Sequence, residues 1–510
     1  MSDKKQFVIN FATQILFCII NLSISFFLVP HIVSSIDGSA YGFINLSNDF
    51  VNYASLITVA LNSIAGRYIT LAIHKKKVKE ANTYYNSVII ANIIMALVIT
   101  VPLLVFTMYI DKFLNIPIDI VNDVKLLFII VFTNFILSLI TSVLTVATFA
   151  TNKLYLNSIA SITSQVSRCI ILLILYSFFK TSVWYVGFAS LISTLILIIA
   201  NYKFTRKLTP QLYFDYKLFD FKCIKEMLKN GIWNTVNRLS GILQNGLDLL
   251  ISNVFVSSAA MGIIALPRTI TSIIFSLFGS IASIFNPKIM QAYAEDDFES
   301  MKRQLDFAIK FTSIFSNICI AVFVVLGTEF YHLWVPTQDS QFLYLLSIIA
   351  LLSLSIGIPL EPVYCIHTST NKIKKPAIFG LVSSLITIII VILGIMFTND
   401  DKIKIILISG VSSFVSIFRL GIYIPIYTAH LLNEKSTYFY PLIGKYLFSL
   451  SLCAVVGLLI KQILPVNNFI VFFISCAVLV VINFIINFTI NFNKEEKTKI
   501  MLIIKNRSLN

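Results

Sequence analysis

Apolar runs of about twenty residues succeed one another along this chain from end to end, each long enough to cross a roughly 30 Å hydrocarbon core as a helix. About fourteen such runs are distinguishable at that span length, beginning near Phe7, Tyr41, Asn86, Val124, Tyr155, Ser182, Asn230, Met261, Leu305, Gln341, Pro376, Ile403, Tyr438 and Asn467. No feature constrains the fold more, since the connections between the runs leave no room for a soluble domain. Composition agrees: 57% of the 510 residues are hydrophobic and 12% are charged, against about 25% charged in a soluble domain. The expected fold is an all-α polytopic membrane protein with about 14 transmembrane helices.

The formal net charge of +15 would by itself suit a nucleic-acid binder, so its placement has to decide. Most of the Lys and Arg fall in alternate connections: Lys75, Lys76, Lys77 and Lys79; Lys203, Arg206, Lys207, Lys217, Lys222 and Lys225; Lys372, Lys374 and Lys375; and Lys494, Lys497, Lys499, Lys505 and Arg507 near the end. This positive-inside bias puts both termini in the cytoplasm of a multi-pass protein and argues against nucleic acid as a partner. The apolar run after Lys4 and Lys5 is interrupted by Asn10, Gln14 and Asn21 and has no small-residue cleavage site, so it reads as the first span rather than a signal peptide. Cys18, Cys169, Cys319, Cys365, Cys453 and Cys476 lie inside spans, Cys223 in a cytoplasmic segment, and no CxxC occurs; buried Cys then acts as a small apolar residue. His31, His74, His332, His367 and His430 fall in loops or at span ends, which leaves no intramembrane histidine relay or metal site and no resident cofactor.

An offset of about 220 residues brings similar features into register, in the manner of an internal repeat. Asn10 and Asn230 open spans one and seven, Ala40-Tyr41-Gly42 and Ala260-Met261-Gly262 precede spans two and eight, and Arg67 and Lys288 end those spans near the cytoplasm. Six spans per copy is an even number, so the copies run the same way across the membrane. The expected organisation is two six-helix lobes, 1–205 (spans one to six) and 206–432 (spans seven to twelve), followed by 433–510 with two additional C-terminal helices and a cytoplasmic tail.

Arg168, Arg238, Arg268 and Arg419 each sit well inside an apolar run. A charge at bilayer depth costs at least about 2.5 kcal/mol, so such residues face a polar cavity or a partner rather than lipid. In span seven Gly231, Asn234, Arg238, Gly241, Asn245, Asp248 and Ser252 share a wedge of roughly 100°. Span two carries a similar stripe of Tyr41, Asn45, Asn48, Asp49, Asn52, Ser63 and Arg67; span one adds Asn10, Gln14, Asn21 and Ser25, and span eight adds Arg268, Ser272, Gly279, Ser283 and Asn286. Ser, Asn and Gly stripes alone also make dry helix seams; full charges on the same faces favour a water-filled cleft. The candidate substrate-binding residues are Arg238, Arg268, Asp49, Asp248, Asn245, Asn52, Arg168 and Arg419. For Arg168 and Arg419 a structural ion pair is an equal alternative, and Glu361, between Pro359 and Pro362, reads as a solvated gate residue. Arg67 and Lys288 are candidate gate residues. Asp49 and Asp248 either balance the arginines or exchange a coupling proton, so coupling to a proton or sodium gradient is left open.

The fourteen-span plan, Tyr41-Gly42 opening a polar span that ends at Arg67-Tyr68, and the basic segment from His74 to Glu80 beyond it resemble the multidrug/oligosaccharidyl-lipid/polysaccharide exporter superfamily. Within it, the chain is similar to polysaccharide flippases that move O-antigen or capsular repeat units (the Wzx type). The resemblance implies helices one, two, seven and eight around a cavity, and a cargo of undecaprenyl-pyrophosphate-linked oligosaccharide turned from the inner to the outer leaflet of a prokaryotic plasma membrane. A lipid-linked anionic glycan, membrane lipids and other polysaccharide-assembly proteins are the corresponding candidate partners.

Charge selects among branches of that superfamily. The guanidinium fork binds phosphate or carboxylate bidentately and stays protonated, whereas an antiporter of organic cations calls for acidic and aromatic walls. A lipid II flippase is the nearer alternative, and a multidrug cation antiporter the more distant one. A membrane glycan polymerase or ligase needs a catalytic external loop, and the longest external segments, near Asp111 to Asp123 and Gly327 to Ser340, span only about a dozen residues, short of a functional lid. The chain is therefore expected not to be an enzyme.

Overall fold

A computed structural model describes residues 3–370, 372–463, 466, 468–492 and 496–497. Among these the chain is helical with no strand, and thirteen helices are long and apolar enough to cross a membrane, so the protein is an all-α polytopic membrane protein. The expected seventh span is not among the thirteen. It is a helix with a polar flank that is broken near its end, and it begins at Phe221, well before Asn230, by taking in Lys222, Lys225 and Lys229. The expected start near Asn467 lies outside the described residues, as do Lys494, Lys499, Lys505 and Arg507 and the side chains of Cys18 and Asn245.

The chain packs as two compact units, Met1–Ala265 with Ala377–Ile388, and Leu266–Pro376 with Ile389–Asn510. In the first unit, α1 (Asp3–Ile36), α2 (Gly38–His74) and α3 (Val78–Met108) follow with minimal connections. Asp37 separates the first two: at φ 74° it turns the chain, and its carboxylate accepts from Ser39 N at 3.4 Å and Ser39 Oγ at 2.7 Å, capping α2. A short α4 (Ile110–Phe113) leads to α5 (Val121–Thr141), a 3-10 turn, α6 (Val146–Ala150), α7 (Leu154–Phe178) and α8 (Tyr185–Leu208). After a linker come α9 (Phe221–Gly241), a π turn at Ile242–Gly246, α10 (Asp248–Phe255) and the start of α11 (Ser258–Ser283).

Lipid tails are as apolar as Leu, so helices in a bilayer are joined by close packing of small residues and by hydrogen bonds between helices. Asn10 shows this at the start of α1: its Oδ1 accepts from Tyr155 N at 2.9 Å in the first turn of α7, and its Nδ2 donates to Asn152 O at 2.9 Å. Gln14 Oε1 accepts from Ser158 Oγ at 3.0 Å. This end of the polar stripe on the first span therefore serves as a seam with α7. Buried Asn92 of α3 donates to Asn62 Oδ1, Leu139 O and Ser142 Oγ, each at 3.1 Å, drawing α2 and α5 together.

The linker after α8 is held in a comparable way. Asn82 Nδ2 donates to Gln211 O at 2.8 Å and its Oδ1 accepts from Tyr213 N at 3.0 Å. Asn86 repeats the pair one helical turn on, with Tyr213 O at 3.0 Å and Asp215 N at 2.8 Å. Two buried amides of α3 thus bond alternate residues of an extended segment, as a neighbouring strand would.

The second unit holds the rest of α11, α12 (Asn286–Ala294), α13 (Phe298–Trp334), α14 (Ser340–Gly357), α15 (Val363–Ser369) and the two ends of α16 (Lys374–Met396), whose middle, Ala377–Ile388, belongs to the first unit. It continues with α17 (Asp401–Phe418), a π turn at Arg419–Tyr423, α18 (Ile424–Leu431), α19 (Tyr440–Ile463) and α20 (Phe469–Asn491). Buried Asn317 of α13 fastens the last two helices: its Nδ2 lies 2.8 Å from Tyr446 O, 3.1 Å from Ser449 Oγ and 3.1 Å from Asn487 Oδ1. Toward the other end of α13, Lys461 of α19 pairs with Glu329 at 2.7 Å.

Candidate functional site

Helices α2 and α9 meet at backbone distance. A Cβ on Gly231 would lie 1.8 Å from the carbonyl oxygen of Ala60, so only glycine permits this approach. Beside the contact, residues of α9 spaced four apart form one row toward α2. Asn230 Nδ2 donates to Tyr68 Oη at 2.8 Å, Asn234 Nδ2 to Ser63 Oγ at 3.0 Å, and Arg238 Nη2 to Asn52 Oδ1 at 2.6 Å. Farther along, Tyr53 Oη donates to the carbonyl of Gly246, where the π turn interrupts the helix. π turns of this kind recur at functional positions. The polar stripe is thus partly a seam, around Gly231, and partly an open row that ends in a guanidinium, because Arg238 and Arg67 are exposed.

Of the residues singled out from sequence, the structure brings Arg238 and Asn52 into direct contact. Asp49 is buried on α2 and Asp248 is half-buried at the start of α10. Arg67 stands on α2 before the helix ends at His74. In the second unit, Arg268 is half-buried and follows Pro267 within α11. Lys288 is exposed in the first turn of α12, a helix separate from α11, so it does not close the eighth span as the repeat suggested. Arg419 opens the second π turn, and its Nε is buried without a hydrogen-bond partner. Glu361 lies half-buried in the break between α14 and α15.

Arg168 of α7 lines a cavity of about 340 Å³ in the first unit, together with Asn48, Asn134 and Gln165. The sequence reading passed over Asn134 and Gln165. Asn134 is a lone amide in an apolar run and makes no stripe; it becomes legible only when α5 is placed against α7.

The model of the polysaccharide biosynthesis protein family matches residues 7–292, more than half of the chain. The chain belongs to the polysaccharide biosynthesis protein family. Another protein similar to this family member is the uncharacterized membrane protein EpsK of Bacillus subtilis (strain 168), 27% identical over 434 residues and covering 85% of each chain. Among solved structures, an inward-facing multidrug resistance MATE transporter of the MOP superfamily aligns with TM-score 0.63 and 14% identity, covering 83% of this chain and 98% of that one. The lipid II flippase MurJ, in an inward closed conformation, aligns with TM-score 0.62 and 15% identity, covering 93% and 98%. The chain thus shares the fold of these transporters and flippases.

Proposed function

We propose that this protein carries an undecaprenyl-pyrophosphate-linked oligosaccharide repeat unit from the inner to the outer leaflet of a prokaryotic plasma membrane, by alternating access, for surface polysaccharide assembly. Two six-span lobes, 1–205 and 206–432, rock about the cleft, and both termini lie in the cytoplasm. The observation that carries the reading is Arg238: an open guanidinium at the end of a polar row, whose described hydrogen-bond partner, Asn52, is a neutral amide. Its charge is left available for a phosphate or an acidic sugar, which it engages bidentately. Organic cations find the wrong sign there, which disfavours the multidrug reading. Arg268 extends the same chemistry from the eighth span, with Arg67 on α2 and Lys288 on the separate α12 recruiting the headgroup at the cytoplasmic side.

The test is transport of defined lipid-linked glycans in proteoliposomes. Arg238→Ala is expected to cut transport by about tenfold or more, the worth of a charge-assisted hydrogen bond, with normal protein level. Arg238→Lys is expected to rescue only in part, having charge without the fork. Full transport by both Arg238→Ala and Arg268→Ala would sink the proposal.

A further inference from the structure

The cavity around Arg168 is built as a binding site. Five helices of the first unit enclose it: α1 through Phe17, α2 through Asn48, α5 through Leu127 and Asn134, α7 through Arg168, and α8. It is charged in one sense, since no Asp or Glu lines it among the described residues. It is also unsatisfied in both senses of hydrogen bonding. Arg168 Nε, a donor, and Asn134 Oδ1, an acceptor, are both buried without a partner. Arginine placed only for packing would have its donors met by carbonyls or an acid, because an unpaired buried polar group costs about 1–3 kcal/mol.

Volume and wall chemistry narrow the occupant. About 340 Å³ is the share of roughly ten waters at about 30 Å³ each, too roomy for a bare inorganic ion and suited to one sugar ring. The walls are mixed. Hydroxyls from α7 and α8 and the Gln165 amide share the lining with Phe17, Leu127 and Val131, which suits a pyranose, with hydroxyls on its rim and C–H groups on its faces. We infer that this cavity binds a single sugar acid of the uronate type, its carboxylate on Arg168 and a ring hydroxyl donating to Asn134 Oδ1. The choice of a sugar acid rests on the proposed glycan cargo; the anionic, hydroxyl-reading character of the pocket does not.

The probe is sodium glucuronate, titrated into the full-length purified protein in nanodiscs and read by thermal shift and calorimetry, with glucose, acetate and chloride in parallel. Glucuronate is expected to raise the melting temperature where equal concentrations of the other three do not. Arg168→Gln is expected to weaken glucuronate binding by at least about tenfold, the scale of one charge-assisted hydrogen bond. If that variant fails to accumulate, Asn134→Leu, which removes the acceptor and leaves the charge, must weaken it comparably. A wild-type response to chloride or glucose equal to that for glucuronate overturns the inference, as does undiminished binding in whichever variant folds. Glucuronate binding by a protein that moves no lipid-linked glycan would overturn the proposed function and leave the pocket standing; glycan transport by a protein indifferent to glucuronate would do the reverse.

Discussion

Gly262, near the start of α11, rests on the backbone of Gly38 at the start of α2: a Cβ at 262 would lie 2.4 Å from the Gly38 carbonyl oxygen. Gly42 meets Met261 and Gly262 in the same contact. Ala40-Tyr41-Gly42 and Ala260-Met261-Gly262, matched by the internal offset, are therefore packed on one another. In the proposed orientation this contact closes the external ends of the two helices.

The glycines give a graded series. Gly231→Ala and Gly262→Ala force backbone apart and are each expected to destabilise by at least about 1–3 kcal/mol, the range for overpacking. Gly42→Ala meets chiefly the flexible end of Met261, at 2.8 Å, and is expected to be milder. Gly241 and Gly279 have nothing within 4 Å of an added Cβ, so alanine there should be neutral or stabilising by up to about 1 kcal/mol through helix propensity. Melting temperatures of the five purified variants check the ranking.

The amide cluster at Asn317 sets the attachment of α19 and α20. Asn317→Ala leaves the Tyr446 carbonyl and the Asn487 amide oxygen without this donor inside the second unit, at a cost of about 1–3 kcal/mol. Limited proteolysis in detergent is expected to release the C-terminal helices earlier in this variant than in the wild type. Identical cleavage rates would show that apolar packing alone suffices.

Acid sensitivity should reside partly at Asp37. Burial pulls its carboxyl upward, but the Ser39 hydroxyl and the backbone amides of Gly38 and Ser39 together outweigh burial and hold it below the usual carboxylate range. A carboxyl depressed in the folded state contributes stability that is complete above its unfolded value, about 3.9, and fades as pH falls through the lower folded value. The wild type is expected to lose more melting temperature than Asp37→Asn on acidification below about pH 4.

Topology is checked with single cysteines in a background lacking the native seven. Positions Asp37, Asp119, Lys180, Ser257, Asp339 and Asp400 are expected to react with impermeant reagent in intact cells, and Lys76 and Lys375 to be protected. The reverse pattern would invert the orientation and with it the direction of flipping.

Helical class and thirteen of the expected spans were legible because apolar runs of bilayer length have one outcome in lipid; the seventh, on the polar α9, is not among those thirteen. The stripe on α9 was legible too, since residues four apart share a face. What periodicity could not supply is which neighbour each polar face meets. Asn10 and Gln14 lie on a stripe like those of α2 and α9, yet they are taken up by α7. The same limit hid Asn134, and it hid the break that sets Lys288 in a helix of its own. A helical wheel gives direction relative to the helix axis, and only packing turns direction into environment.

The linker from Gln211 to Asp215 is secured by Asn82 and Asn86 rather than by the peptide bonds on either side of it. Covalent continuity there is consequently expected to be dispensable. A protein made as two polypeptides, one ending at Asp215 and the other beginning at Tyr216, should reassemble in the membrane, since α9 would still find its glycine seat on Ala60 and the severed end would stay docked on α3. The same docking leaves an inserted domain at that junction little slack to exploit, so reporter proteins placed there should be tolerated only when spacers flank them.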